Sequence, residues 1–312
     1  MCLRSLLAAI ALALASVVPP AHGAERMVVL LDWFVNPDHA AIVVAQQGGY
    51  FARSGLEVTL VEPADPSAPP RLVAAGQGDL ALTYQPNLYE QVKEGLPVVR
   101  VGAAIATPLN SLVVLADGPV KSIVDLKGRT IGYSIAGFEQ ALLATMLESA
   151  GLKLADVTLV DINFALTGAL LESKVDAVIG AFRNFEVTEM KLAGKEARAF
   201  FPEDHGVPAY DELIYVTRQD RAAAAVTGKF LDAVEAATLF TLNHPADAWA
   251  MFTKAYPKLD DALNKAAWAD TLPRLAASPR AVDTTRYVRF GEYMKARGLI
   301  DTVEPVARYV AQ

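Results

Sequence analysis

Residues 28–50 read VVLLDWFVNPDHAAIVVAQQGGY, and this stretch carries the clearest structural pattern in the 312-residue chain. The apolar run 27–31 predicts a buried strand, since a continuous series of aliphatic residues suits a strand covered on both faces. It runs into Asp32, Trp33, Asn36, Asp38 and His39. A helix is predicted over 40–47, entered through Pro37 and the capping acid Asp38 and stopped at Gly48 and Gly49. A strand that hands polar and aromatic side chains to a loop before a helix is where an α/β protein tends to place a ligand.

Outward from this stretch the same alternation repeats. Strands are predicted over 56–61, 79–83 and 98–105, with helices over 71–75 and 88–94 and a loop over 84–87. This is an α/β unit with a mostly parallel sheet. A strand over 112–116 leads to a second, smaller unit with strands over 130–133, 157–161 and 176–180 and helices over 138–150, 166–172 and 186–192. A strand over 212–217 precedes a helical last third, read as returning to cover the first unit. One lobe is therefore expected from 24–110 plus 214–312 and another from 111–213, joined by two crossings that form a hinge.

Residues 1–23 read as an export signal: Arg4, an apolar core over 6–18, then small residues at Ala21 and Gly23. That core is too short to span a bilayer. The single cysteine, Cys2, lies inside this signal, so the exported chain is expected to have neither disulfide nor thiol chemistry. The net charge of −7, with no basic cluster, argues against nucleic acid as a partner.

Several residues are candidate ligand contacts. Trp33 offers a flat platform, Asp32 and Asn36 offer directional polar contacts, and His39 adds one more. Such a set suits a planar polar heterocycle better than a sugar or an anion. A capped loop, with Trp33 packed and His39 satisfied, accounts for the same residues. Tyr84 and Tyr133 follow strand ends, a position that serves either a cleft wall or core packing; Phe138 and Glu139 lie close to Tyr133. In the segment 183–186, Asn184 precedes Glu186, whose carboxylate suits an exocyclic amine or a protonated ring nitrogen and equally suits a helix N-terminus. Tyr210 precedes the return crossing and is placed to close over a ligand or to anchor the hinge. No HExxH or GxSxG pattern occurs, and the histidines are scattered, so no metal, cofactor or catalytic group is expected.

The segment LDWFVNPDHAAIVVAQQGGYFARSGLEV (31–58) resembles the opening of bacterial solute-binding proteins that deliver thiamine pyrimidine precursors. The resemblance continues through GQGDLALTYQPNL (76–88), LKGRTIGY (126–133), KVDAVIGAFRNFE (174–186) and FFPEDHGVPAYDELIYV (200–216). The same superfamily contains fungal thiamine-pyrimidine synthases, riboflavin-binding relatives and the broader nitrate-, sulfonate- and taurine-binding class. The resemblance implies a type II periplasmic binding protein with two α/β lobes, working as a monomer in the periplasm. It would bind formylaminopyrimidine or a hydroxymethylpyrimidine-like precursor and hand it to an ABC permease in the inner membrane. Riboflavin or another flat heterocycle, and a pyrimidine-synthase activity, are the alternatives it leaves. It further implies that Trp33 and either Tyr210 or Tyr84 stack on the ring, that Asn36 and Glu186 read its polar edge, and that Asp32 and His39 support the loop. The synthases' iron-motif cysteine is missing after the signal, and no lysine stands near Trp33.

Overall fold

The computed structural model describes residues 23–311. The export signal expected over 1–23 lies, but for Gly23, outside the described residues, as does Cys2. The strands are β1 (Glu25–Leu30), β2 (Leu56–Val61), β3 (Leu80–Thr83), β4 (Val98–Ile105), β5 (Asn110–Leu115), β6 (Thr130–Tyr133), β7 (Thr158–Asp161), β8 (Ala177–Phe182), β9 (Ala197–Phe200) and β10 (Leu213–Arg218). They form two five-stranded sheets, ordered β2-β1-β3-β10-β4 and β7-β6-β8-β5-β9. The molecule thus has two α/β lobes of the type II periplasmic-binding-protein kind.

Both sheets follow one plan. β1 pairs in parallel with β2 and β3, and β6 pairs in parallel with β7 and β8. Both sheets are mostly parallel, as expected; the exceptions are β10, which runs antiparallel to β3 and β4, and β5, which runs antiparallel to β8 and β9. These two strands enter their sheets directly from the other lobe. A strand reached without a covering crossover helix is free to run the opposite way. The segments 106–109 and 201–212 carry the chain between the sheets.

The cores follow from strand alternation. In β5, Leu112 and Val113 point to opposite faces and join separate apolar clusters, as do Val178 and Ile179 of β8. The first lobe has one larger core. There the helix Ala40–Gln47, buried through Ile42, Val43 and Val44, packs beneath the helices Ala225–Asn243 and Pro245–Ala255. The C-terminal tail docks on the same lobe, where the Ala311 N–H donates to the Arg100 carbonyl at 2.9 Å.

One boundary bears on the site. The helix Gln85–Lys93 starts earlier than the pattern predicted and absorbs most of the expected loop 84–87. Pro86 sits in its first turn, where a missing N–H costs nothing, and Tyr84 becomes its N-cap.

Candidate functional site

Strand ends from both lobes meet at one cleft. β1 delivers Asp32, Trp33, Asn36 and Asp38; β3 delivers Tyr84; the 106–109 crossing delivers Asn110. From the second lobe come Glu139, in the first turn of the helix Phe138–Ser149, Phe182 at the end of β8, and Phe185 and Glu186 after it. These side chains, with Ile135, Leu166, Gly180 and Leu213, enclose about 490 Å³ of empty space, the mouth included.

The first-lobe wall is a closed hydrogen-bonded unit. Asp32 Oδ2 accepts from the Tyr84 hydroxyl at 2.8 Å, and Oδ1 lies 3.0 Å from His39 Nε2. His39 Nδ1 accepts from the Asn36 backbone N–H at 3.2 Å, which places the ring proton on Nε2, facing Asp32. Asn36 Oδ1 in turn accepts from the Asp38 N–H at 2.8 Å. The loop following β1 is therefore held in one shape before any ligand arrives. Tyr84 also stacks on Phe138 of the second lobe, with ring centroids 5.4 Å apart and an interplanar angle of 22°.

The second-lobe wall is less satisfied. Glu139 Oε2 accepts from the Ser134 and Ile135 N–H groups at 2.8 and 3.1 Å. Its other oxygen lies against Gly180, where a Cβ would come within 2.4 Å of it and φ is +101°. Only glycine lets the carboxyl lie so close to β8. Glu186 Oε2 accepts from the Phe182 N–H at 2.6 Å. Burial pushes both Glu139 and Glu186 up to about 8. Asn110 Oδ1 accepts from the Gly180 N–H at 3.2 Å, while its Nδ2 is buried without a partner. The cleft wall thus carries four carboxylates (Asp32, Asp38, Glu139 and Glu186), an unpaired amide donor, and no lysine or arginine.

The expected site residues fall into two groups. Asp32, Trp33, Asn36, Tyr84 and Glu186 line the cleft. His39, Tyr133, Asn184 and Tyr210 do not. His39 is 1% exposed and spends both ring nitrogens on the loop. Tyr133 packs against the second lobe's core. Asn184 is a tie between lobes: its Nδ2 donates to Asp38 Oδ1 at 2.7 Å and to Thr271 Oγ1 at 2.8 Å. Burial raises the Asp38 carboxyl above its ordinary range. Tyr210 is 1% exposed and packs edge-on against Phe290 at 5.3 Å, so it closes the hinge region rather than the ligand space. Beside it, Glu212 accepts the Leu109 and Asn110 N–H groups and fixes the crossing that presents Asn110.

Sequence reasoning did not single out Asp38, Asn110, Phe182 or Phe185 as cleft-lining side chains. Position alone gave one signal: each follows a strand end or stands at a crossing between lobes.

Residues 36–248 match the family model described as NMT1/THI5 like. The chain belongs to the NMT1/THI5-like family. A Haemophilus influenzae protein named for thiamine biosynthesis is 51% identical over 294 residues, covering 94% of each chain. The formylaminopyrimidine-binding protein of Halalkalibacterium halodurans is 38% identical over 195 residues, 62% of this chain and 59% of that one. A Legionella pneumophila 4-amino-5-hydroxymethyl-2-methylpyrimidine phosphate synthase is 27% identical over 283 residues, covering 89% of this chain and 88% of that one. Among solved structures, the alkanesulfonate-binding protein of Xanthomonas axonopodis pv. citri superposes with a TM-score of 0.73 at 19% identity, over 93% of this chain and 99% of that one. This NMT1/THI5-like chain therefore shares a binding-protein fold and is related by sequence to proteins named for pyrimidine binding and for pyrimidine synthesis.

Proposed function

We propose that this protein is the periplasmic solute-binding component of an ABC importer and that it binds a thiamine pyrimidine precursor, formylaminopyrimidine or a hydroxymethylpyrimidine-like compound. One observation carries this reading: the cleft is lined by four carboxylates and one unpaired amide N–H, without a cation. An anion such as a sulfonate would find no lysine or arginine there to balance its charge, and would face the acidic groups instead. A 4-aminopyrimidine presents the complementary edge. Its exocyclic amine donates to the free oxygen of Glu139 or Glu186, and a ring nitrogen accepts from Asn110 Nδ2. A carboxyl group titrating near neutral pH suits such a ring, because it can donate to a ring nitrogen or accept from its protonated form. Trp33 supplies the flat apolar face.

The reading is of binding without chemistry. No lysine lines the cleft to hold a carbonyl cofactor, and among the described residues no cluster of three or more His, Cys, Asp or Glu is arranged to hold a metal. Among the described residues no helix is long and apolar enough to cross a membrane, so uptake would need a separate permease. Calorimetric titration with formylaminopyrimidine, hydroxymethylpyrimidine, riboflavin and taurine tests the reading. Micromolar or tighter binding of a pyrimidine is expected. Binding of taurine in preference to every pyrimidine would overturn it.

A further inference from the structure

Asp38 has a second carboxyl oxygen that the fold leaves unused. The sequence makes Asp38 a helix-capping acid, but Asn36 does the capping: its Oδ1 accepts from the Asp38 N–H at 2.8 Å at the head of the turn Pro37–His39. The Asp38 carboxylate is thereby free for other contacts. One oxygen, Oδ1, ties the lobes, accepting from Asn184 Nδ2 at 2.7 Å and from Thr271 Oγ1 at 2.8 Å. The other, Oδ2, accepts from no described residue. Asn184 Oδ1 is sealed in the protein without a partner; Asp38 Oδ2 is not, and the 3% exposure that Asp38 keeps is toward the cleft it lines.

Glu186 is its counterpart on the second lobe. Asn184 lies two residues before Glu186, so the tie brings Asp38 to the head of the helix Glu186–Leu192. Glu186 likewise has one oxygen engaged, by the Phe182 N–H, and one free. Burial chiefly raises Glu186, and the charges of Glu189 and Asp38 add to the rise. Asp38 is raised by burial and held down by its two donors, and a third donor on Oδ2 acts in the same sense as those two. Two carboxyl groups on opposite lobes, each with a free oxygen, are satisfied together by one group that carries two N–H bonds.

We propose that Asp38 reads the ligand as well as tying the lobes, and that the cleft selects a ring with an unsubstituted exocyclic amine, one N–H donated to Asp38 Oδ2 and the other to the free oxygen of Glu186. This rests on the pyrimidine reading above and narrows it to primary amines. The same carboxylate then holds the ligand with one oxygen and the closed cleft with the other.

The test is calorimetry with three probes: 4-amino-5-hydroxymethyl-2-methylpyrimidine, its 4-methylamino analogue and its 4-unsubstituted analogue. In the native protein the amine is expected to bind about 100-fold more tightly than the unsubstituted ring, and about tenfold more tightly than the methylamine. Asp38→Asn keeps an oxygen for Asn184 and Thr271 but presents an amide N–H to the cleft, so it should cut the ratio of amine to unsubstituted ring by about tenfold. Asn184→Ala breaks the tie and leaves Oδ2 in place, so it should weaken both probes and hold their ratio within about threefold. A native ratio in Asp38→Asn, or a ratio that Asn184→Ala cuts just as deeply, would make Asp38 a lobe tie alone and overturn the inference while the pyrimidine reading stands. Equal binding of amine and methylamine by the native protein, a measurement that needs no variant, would do the same. Failure of the native protein to bind any of the three would remove the pyrimidine reading as well.

Discussion

Asp32 on one lobe and Glu139 and Glu186 on the other face the same cavity, yet they stand in different hydrogen-bonding states. Asp32 has each oxygen engaged, with Tyr84 and with His39. The two glutamates each use one oxygen on backbone N–H groups, and burial raises both to about 8. The same functional group therefore serves as scaffold on one wall and as reader on the other. What separates the roles is the number of partners each carboxyl already has, because a satisfied acceptor has little left to offer a ligand.

The largest expected effect that tests this contrast is on the empty protein. A carboxyl raised from 4.5 to about 8 on folding binds more protons in the native than in the unfolded state between those values. Stability of the ligand-free protein should thus fall as pH rises through that window, by on the order of a few kcal/mol. Melting temperatures measured across pH check this, and the double variant Glu139→Gln/Glu186→Gln should make the fall shallower, leaving the share of Glu90 and Glu212, which burial raises to about 7. Identical profiles for the native protein and the double variant would place the second wall in the same state as the first.

Next in size, Glu186→Gln keeps an acceptor for the Phe182 N–H but turns the free oxygen toward the ligand into a donor. Pyrimidine affinity should weaken by about 100-fold, or about 3 kcal/mol. Trp33→Ala should cost about 2 kcal/mol, roughly 30-fold in affinity, through the lost stacking face. The smallest effect belongs to the scaffold. Asp32→Asn still accepts from His39 and can pair with Tyr84, so it should lower stability by about 1 kcal/mol and change pyrimidine affinity by less than about threefold. A loss at Asp32 as large as that at Glu186, read by the same titration, would break the distinction between the walls.

Much of the fold is legible in residue pattern. The aliphatic run before Asp32, the glycine stops and the strand–helix alternation lead to two α/β units, and the helical last third does cover the first of them. The direction of β10 and β5 is not legible, because an isolated strand carries the same alternation whichever way it runs. The start of the helix Gln85–Lys93 was obscured by Pro86, which reads as loop unless it falls in a first turn.

The site divides along the same line. Trp33, Asn36, Tyr84 and Glu186 were legible because strand ends in α/β sheets deliver side chains to a common edge. Tyr210 looked like a lid from its place before a crossing, but packing on Phe290 buries it. Asn184 looked like a reader beside Glu186, but Asp38 and Thr271 claim its amide nitrogen. Asn110 went unremarked, although its amide nitrogen is buried in the cleft wall without a partner.

The order of apolar and polar residues determined that this chain makes two α/β lobes, and that the loop after its first strand would carry a platform and polar groups. Both follow from local chain physics: backbone groups pair within regular elements, and periodicity decides which faces are buried. Which carboxylates are spent and which are free was decided only by tertiary structure. That depends on partners far away in sequence, such as Tyr84 for Asp32 and the Leu109 and Asn110 N–H groups for Glu212, and on how deeply each group is taken from water. His39 shows the division plainly: its position in the loop was evident from the chain, but the use of both its nitrogens on that loop appears only once Asp32 and Asn36 are brought against it.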